Sequence, residues 1–347
     1  MGCLSAPLRW KGEEQFTASM AWFDSSRCVP FRSTIPGRER AQVGRRVDAR
    51  LPEDATAFDT DAGLGRVAQG DSSAWADVWA GAPAELPKEL EHVPPTDVSA
   101  LLILSDDAPQ GLLSSLQTAY PGACKMALRV SSTPFVTGRP FTLLRDGNVH
   151  SSGAVGLAIL KATPSLRTTF DGLHPLSPVM KVTAAEGNLI HTLNDGNPSQ
   201  LLLDAIRSTG LYGENAKEDN FVLGVSTSPE VLHQRAFRIT SGDPKRGTLA
   251  LETDATITEG LFVQFFKSST PSDVAQPDRT PSISFMTTSD AAGTRAQDGH
   301  AGSVDVESVR IIEGAFVAGS ENGWTVAQAD EEAWACSVPG ASTSVAW

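Results

Sequence analysis

Cysteine, tyrosine and histidine are scarce in this chain: four, two and six among 347 residues. The cysteines, Cys3, Cys28, Cys124 and Cys336, lie far apart, with no C-x-x-C pair and no histidine at zinc-finger spacing. This argues against a disulfide framework and against structural zinc, and fits reduced thiols in an intracellular compartment. No N-glycosylation sequon occurs, because Asn197-Pro198-Ser199 is blocked by its proline. No apolar run approaches the roughly 18 residues that span a bilayer, and no secretory hydrophobic region is visible. The expectation is no membrane span and a cytoplasmic or nuclear location. Catalytic signatures are missing too. G-x-S-x-G, a P-loop, H-E-x-x-H and an EF-hand loop do not occur. GLGRVAQG (63–70) has the wrong glycine spacing for a dinucleotide fingerprint and no strand before it. The residues therefore predict no enzyme, no cofactor and no metal site.

What is present is a globular composition, 40% hydrophobic and 20% charged, with a net charge of −13. The charge is uneven. Eight Arg and one Lys against five acids give residues 1–50 a charge of +4, which leaves −17 for the rest. An acidic body repels phosphate backbones, so no nucleic-acid partner is expected. The Arg-rich leader is also compatible with a mitochondrial address, although Glu13-Glu14 interrupts it early. MGCLSA begins like a myristoylation signal but has Ala6 where Ser or Thr is needed.

Residues 1–95 are rich in Pro, Gly, Asp and Arg and read as a basic, partly disordered or arm-like region, with one short helix at AWADVWAGAPAEL (74–86). From residue 97 the pattern changes. VSALLILS (98–105) is a strand covered on both faces, APQGLLSSLQTAY (108–120) has helical spacing, and CKMALRV (124–130) is a strand. Asp146-Gly147 and Glu186-Gly187-Asn188 mark two hairpins. NPSQLLLDAIRSTG (197–210) is a helix with Asn197 as N-cap, Pro198 in the first turn and Gly210 at its end. Downstream the chain is strand-like: FVLGVST, AFRIT, GTLALET, LFVQFF, SISFMTT and VRIIEGAFVAGS, with a polar loop over 268–303 around one buried strand. The expected fold class is α+β, two α/β units with largely antiparallel sheets flanked by a few helices.

Two stretches stand out chemically. STPFVTGRP (132–140) spends nine residues, two prolines and a glycine on one connection. Gly138 and Pro140 restrict Arg139 so that its planar fork is pre-oriented for a carboxylate or phosphate, with Thr137 beside it. The plainer alternative is an arginine paired with an acid of this acidic chain. The second stretch is Gly319-Ser320-Glu321-Asn322-Gly323-Trp324. It is either a tight hairpin only, or a place where a ligand meets the backbone and hydrogen-bonds to Ser320, Glu321 and Asn322. The histidines are isolated in sequence, and Cys124 opens an apolar strand and reads as an inert buried thiol.

The order SSTPFVTGRPFTLLRDGNVHSSGAVGLAIL, VTAAEGNLIHTLNDGNPSQLLLDAI and DPKRGTLALETDATITEGLFVQFF resembles the FIST family (F-box and intracellular signal transduction). The resemblance covers roughly residues 97–325. It implies an N-terminal FIST domain over 96–165 and a C-terminal one over 178–340, in a protein that senses small ligands, amino acids among them. It also implies an alternative, a substrate-recognition adaptor in ubiquitin-dependent degradation that meets a protein substrate and ubiquitin-ligase components. The F-box itself is not recognisable: Leu86-Pro87-Lys88-Glu89-Leu90 starts like one, but prolines follow and a strand begins by residue 98. A hydrolase with an unrecognised site is a third reading. The leading expectation is a non-enzymatic module in intracellular signalling that senses a small anionic metabolite or recognises a protein.

Overall fold

The structure, a computed structural model, describes residues 1–10, 13–35, 86–133, 138–210, 221–230, 234–245, 247–269, 281–289, 311–329 and 331–347. Its largest open sheet runs through Trp334–Cys336 (β21), Trp324–Ala327 (β20), Cys124–Arg129 (β6), Val98–Ser105 (β5), Ala154–Leu160 (β9) and Cys28–Ser33 (β4). Only β5 and β6 are parallel, Ala100 facing Cys124 and Ser105 facing Arg129. Their crossover is helix α1, Gln110–Ala119, the arrangement that a parallel pair requires. Alternation along β5 sends Leu101 and Ile103 to one face, against Leu112, Leu116 and Phe31. Leu102 and Leu104 go to the other, into the main core. Both faces are covered, which is why this strand is a continuous apolar run.

A second sheet closes on itself. Met180–Glu186 (β12), Leu189–Leu193 (β13), Thr248–Leu251 (β16), Arg235–Asp243 (β15), Phe221–Ser226 (β14) and Phe262–Ser268 (β17) pair antiparallel in turn. β17 then returns to β12, with Met180 opposite Val263. Its other edge meets β14, with Val222 opposite Phe266. Leu173–Pro175 (β11) lengthens the edge that β12 leaves, pairing with Phe266–Ser268. The result is a six-stranded barrel with no free edge. Helix α2, Pro198–Ser208, packs against β13 and β16. Asn197 caps it by accepting from Gln200 N at 3.0 Å.

A third sheet has the order Ser165–Phe170 (β10), Ala341–Ala346 (β22), Ser282–Thr287 (β18), Ala315–Ser320 (β19), of which β18 and β19 are parallel. Gly2–Cys3 (β1) joins the hairpin Leu143–Arg145 (β7) and Asn148–His150 (β8), and Leu8–Trp10 (β2) pairs with Glu13–Gln15 (β3). Asp146 (φ 50°) and Gly147 (φ 77°) form the two-residue turn between β7 and β8. Positive φ at both positions is what a primed hairpin turn requires. One apolar core joins all three larger sheets, from Leu104 and Met126 through Phe237 and Phe265 to Phe285 and Val345.

The α+β expectation needs correction. Among the described residues the protein is mainly β, with two α-helices, antiparallel and mixed sheets, and one closed sheet. Apart from β16, which α2 covers, the strands after residue 221 bury their apolar sides inside a barrel and against a neighbouring sheet, so they need no flanking helices. The expected helix at 74–86 falls outside the described residues, save Leu86.

Candidate functional site

Two parallel strand pairs end at the same place. β5 and β6 stop at Ser105 and Arg129, and β18 and β19 stop at Thr287 and Ser320. In open sheets with parallel strands, ligands gather beyond the carboxyl ends of those strands. Here the chain continues from β6 into Val130–Thr133, and from β19 around Glu321–Gly323 into β20, which pairs with β6.

The two continuations are stitched together. Arg129 N donates to Gly323 O at 3.1 Å. Asn322 Nδ2 donates to Val130 O at 2.9 Å, and Glu321 Oε1 accepts from Ser132 N at 2.9 Å. Ser131 Oγ donates to Gly319 O at 3.4 Å. Ser320 is fully buried, and its Oγ accepts from Asn322 N at 3.0 Å, which tightens the turn. Further along, Thr133 N donates to Pro140 O at 2.7 Å and the hydroxyls of Thr133 and Thr142 meet at 2.8 Å. These bonds close the loop at its neck. Gly138, Arg139 and Pro140 are exposed on it, with Gly138 at φ 66°.

The six residues singled out by sequence thus take different positions. Gly138 and Arg139 stand at the surface. Glu321 and Asn322 use side-chain atoms to hold the backbone of 130–132, and Ser320 shapes their turn from inside. Thr137 lies outside the described residues. The proximity of the two stretches, 180 residues apart in sequence, comes from β20 crossing to lie beside β6.

A family model, the FIST N domain, matches residues 9–196. The chain belongs to the FIST family. No curated protein and no solved structure matches it. The FIST N match begins at Arg9, in the basic leader, takes in β4, the β5–α1–β6 unit and the Arg139 loop, and ends just past β13. The Glu321–Asn322 turn lies beyond it, so the candidate site joins a FIST N loop to a turn from the C-terminal part of the chain. Among the described residues ahead of β5, the helical segments are single turns of 3-10 helix at Ser25–Arg27, Lys88–Leu90 and Pro95–Asp97.

Sequence reasoning missed a second group at the same end of the large sheet. Asp106 accepts from Ala108 N at 3.2 Å through one oxygen and from Gly153 N through the other. Arg32, at the end of β4, donates to the carbonyls of Ser33, Ser152 and Ala154. Burial pulls its guanidinium below the usual value, with Asp106 opposing the shift. Both groups fix the rim of the sheet through backbone contacts. The Asp106-Asp107-Ala108-Pro109 stretch was the available signal, since Asp commonly bonds to an amide two residues on.

The thiols are poor nucleophiles. Burial pushes Cys124 up to about 11, against the opposing effect of Lys125, and pushes Cys3 and Cys336 up to about 12. His191 Nε2 lies 3.7 Å from Glu186 Oε2 on a barrel hairpin. Among the described residues no group of three or more His, Cys, Asp or Glu could hold a metal ion, and no helix is long and apolar enough to cross a membrane.

Proposed function

We propose that this FIST protein is a non-catalytic sensor that binds a small anionic metabolite, of the amino-acid or carboxylic-acid class, at the loop carrying Gly138 and Arg139. The observation that carries this reading is the stitched pair of loops at the ends of two parallel strand pairs, with Arg139 presented on the closed one. A guanidinium there offers a planar fork to a carboxylate, and a fixed cation offsets the field of an acidic chain at the point of binding. Glu321, Asn322 and Ser320 act as supports that hold the loop in place. The buried, protonated thiols agree with a role without covalent chemistry.

The test is a thermal-shift screen against amino acids and small di- and tricarboxylates, followed by calorimetry on any hit. A ligand at 100 times its dissociation constant stabilises the fold by about 2.7 kcal/mol. Arg139→Lys removes the fork but keeps the charge. It should weaken binding by about 1.5–3 kcal/mol while the free protein still folds. Lower stability with unchanged affinity would make the loop a scaffold and move the site elsewhere.

A further inference from the structure

Residues 2–8 cross the base of the candidate site as a strap. Gly2 and Cys3 pair with Leu144 and Leu143 of β7, and Leu4 N donates to Thr142 O at 3.4 Å. Two residues later the strap has reached another sheet. Ala6 N donates to Gly319 O at 2.9 Å, and Ser5 Oγ accepts from Gly319 N at 2.9 Å. β19 is an edge strand, so these bonds occupy backbone groups that the edge would otherwise leave open. Leu8, buried, covers the same spot: a Cβ added to Gly319 would lie 2.5 Å from Leu8 Cδ2. Gly319 is therefore glycine for space, which Leu8 of the strap fills on one side and Thr288 Cγ2, 3.0 Å from the same Cβ, on the other.

The two anchor points are the bases of the two site loops. Thr142 closes the Arg139 loop through its hydroxyl contact with Thr133. Gly319 opens the turn of Glu321 and Asn322, and its carbonyl also accepts from Ser131 Oγ. We propose that the Gly2–Leu8 strap is a positioning element of the anion site, joining Thr142 to Gly319 and so setting the distance between the Arg139 loop and the turn that supports it. Gly2–Leu8 precedes the residues matched by the family model, so this element adds to what the family implies. The ligand class rests on the reading under Proposed function; the mechanical coupling does not. Coupling is reciprocal: whatever favours strap docking favours the binding-competent loops, and a bound ligand favours the docked strap.

The experiment uses the full chain without ligand and reads two signals. Cys3 is half-buried where the strap packs against the core, so acceleration of maleimide labelling above the wild-type rate, localised to Cys3 by mass spectrometry, reports undocking. Amide exchange at 130–133 and 320–323 reports loop order, with the β12–β13 hairpin as internal control. Ser5→Ala removes the acceptor for Gly319 N, and Gly319→Ala drives Leu8 away. Each should accelerate Cys3 labelling and exchange at both loops together, by about tenfold or more, with the β12–β13 amides unchanged. Adding Leu8→Ala to Gly319→Ala should bring both signals partway back toward wild type, because the Leu8 part of the clash is relieved while the Thr288 contact remains. Faster Cys3 labelling with unchanged loop exchange would overturn the proposal, as would no response of either signal. A coupled response in a protein that no carboxylate stabilises would leave the strap standing and count against the Arg139 reading alone.

Discussion

Replacing Gly323 by alanine should be among the most damaging single-methyl changes in this protein, and replacing Gly138 by alanine among the mildest at a similar backbone angle. Both glycines have positive φ, 78° and 66°. Each substitution therefore incurs the left-handed penalty of about 1–2 kcal/mol. At Gly138 nothing lies within 4 Å of the added Cβ, so the penalty ends there. At Gly323 the Cβ would lie 2.0 Å from Cys336 O and 2.9 Å from both Cys336 C and Ser337 Cα. These are backbone atoms of the neighbouring chain segment and cannot rotate away. Either β21 retreats, breaking the pairing of Trp324 with Cys336, or β20 does, losing the bond from Arg129 N to Gly323 O. Leaving two buried backbone groups unsatisfied adds about 1–2 kcal/mol each, so the total is about 3–6 kcal/mol. With an unfolding entropy of about 2.1 cal/mol/K per residue, 1 kcal/mol corresponds to roughly 1.4 °C for a chain of 347 residues. Differential scanning calorimetry should then show Gly138→Ala lower by about 1–3 °C and Gly323→Ala lower by about 4–8 °C. Equal shifts for the two variants would refute the close approach of β20 and β21, and with it the account of how the two loops meet.

Alkaline pH should weaken the fold through its buried thiols. Cys3, Cys124 and Cys336 are raised from 9.0 to about 12, 11 and 12, chiefly by burial. Between the unfolded and folded values the native state holds more protons, so their contribution is complete below about pH 9 and is lost as pH climbs toward the folded values. Each thiol contributes a slope of about −1.4 kcal/mol per pH unit in that window, and Cys336→Ala should remove one such slope in urea unfolding at about pH 9, 10 and 11. A pH-independent midpoint over that range would refute the burial. Asn197→Ala loses both the cap on Gln200 N and the bond from Nδ2 to Pro244 O, which ties α2 to the turn before β16. It should cost about 1–2 kcal/mol in chemical denaturation, while Asn197→Asp, which keeps the cap, should cost less. Equal losses for the two variants would assign the stability to the Pro244 contact.

Local structure was largely legible in the residues. The β5 strand falls where VSALLILS stands, α1 lies within the stretch around Leu112 and Leu116, and Asp146-Gly147 makes its hairpin. The Asn197, Pro198 and Gly210 signals bound α2 as expected. These features depend on backbone angles, capping and periodicity within about ten residues, and such forces act before any distant contact forms.

Pairing partners were decided by the tertiary structure. The closure of the barrel depends on β14 meeting β17, two strands that read alone as ordinary apolar segments. The same holds for the candidate site. Arg139 could be picked out from its proline and glycine neighbours, and Ser320–Asn322 from their turn chemistry. That one stretch holds the other follows from β20 lying beside β6, and that Ser5 and Ala6 bond to Gly319 follows from an edge strand needing partners for its backbone. By itself the sequence determined where most central strands, turns and caps lie, because those are local, though not β4, β10, β21 or β22; only the packed core, which selects among many compatible strand pairings the one that buries all three sheets together, determined which loops became neighbours.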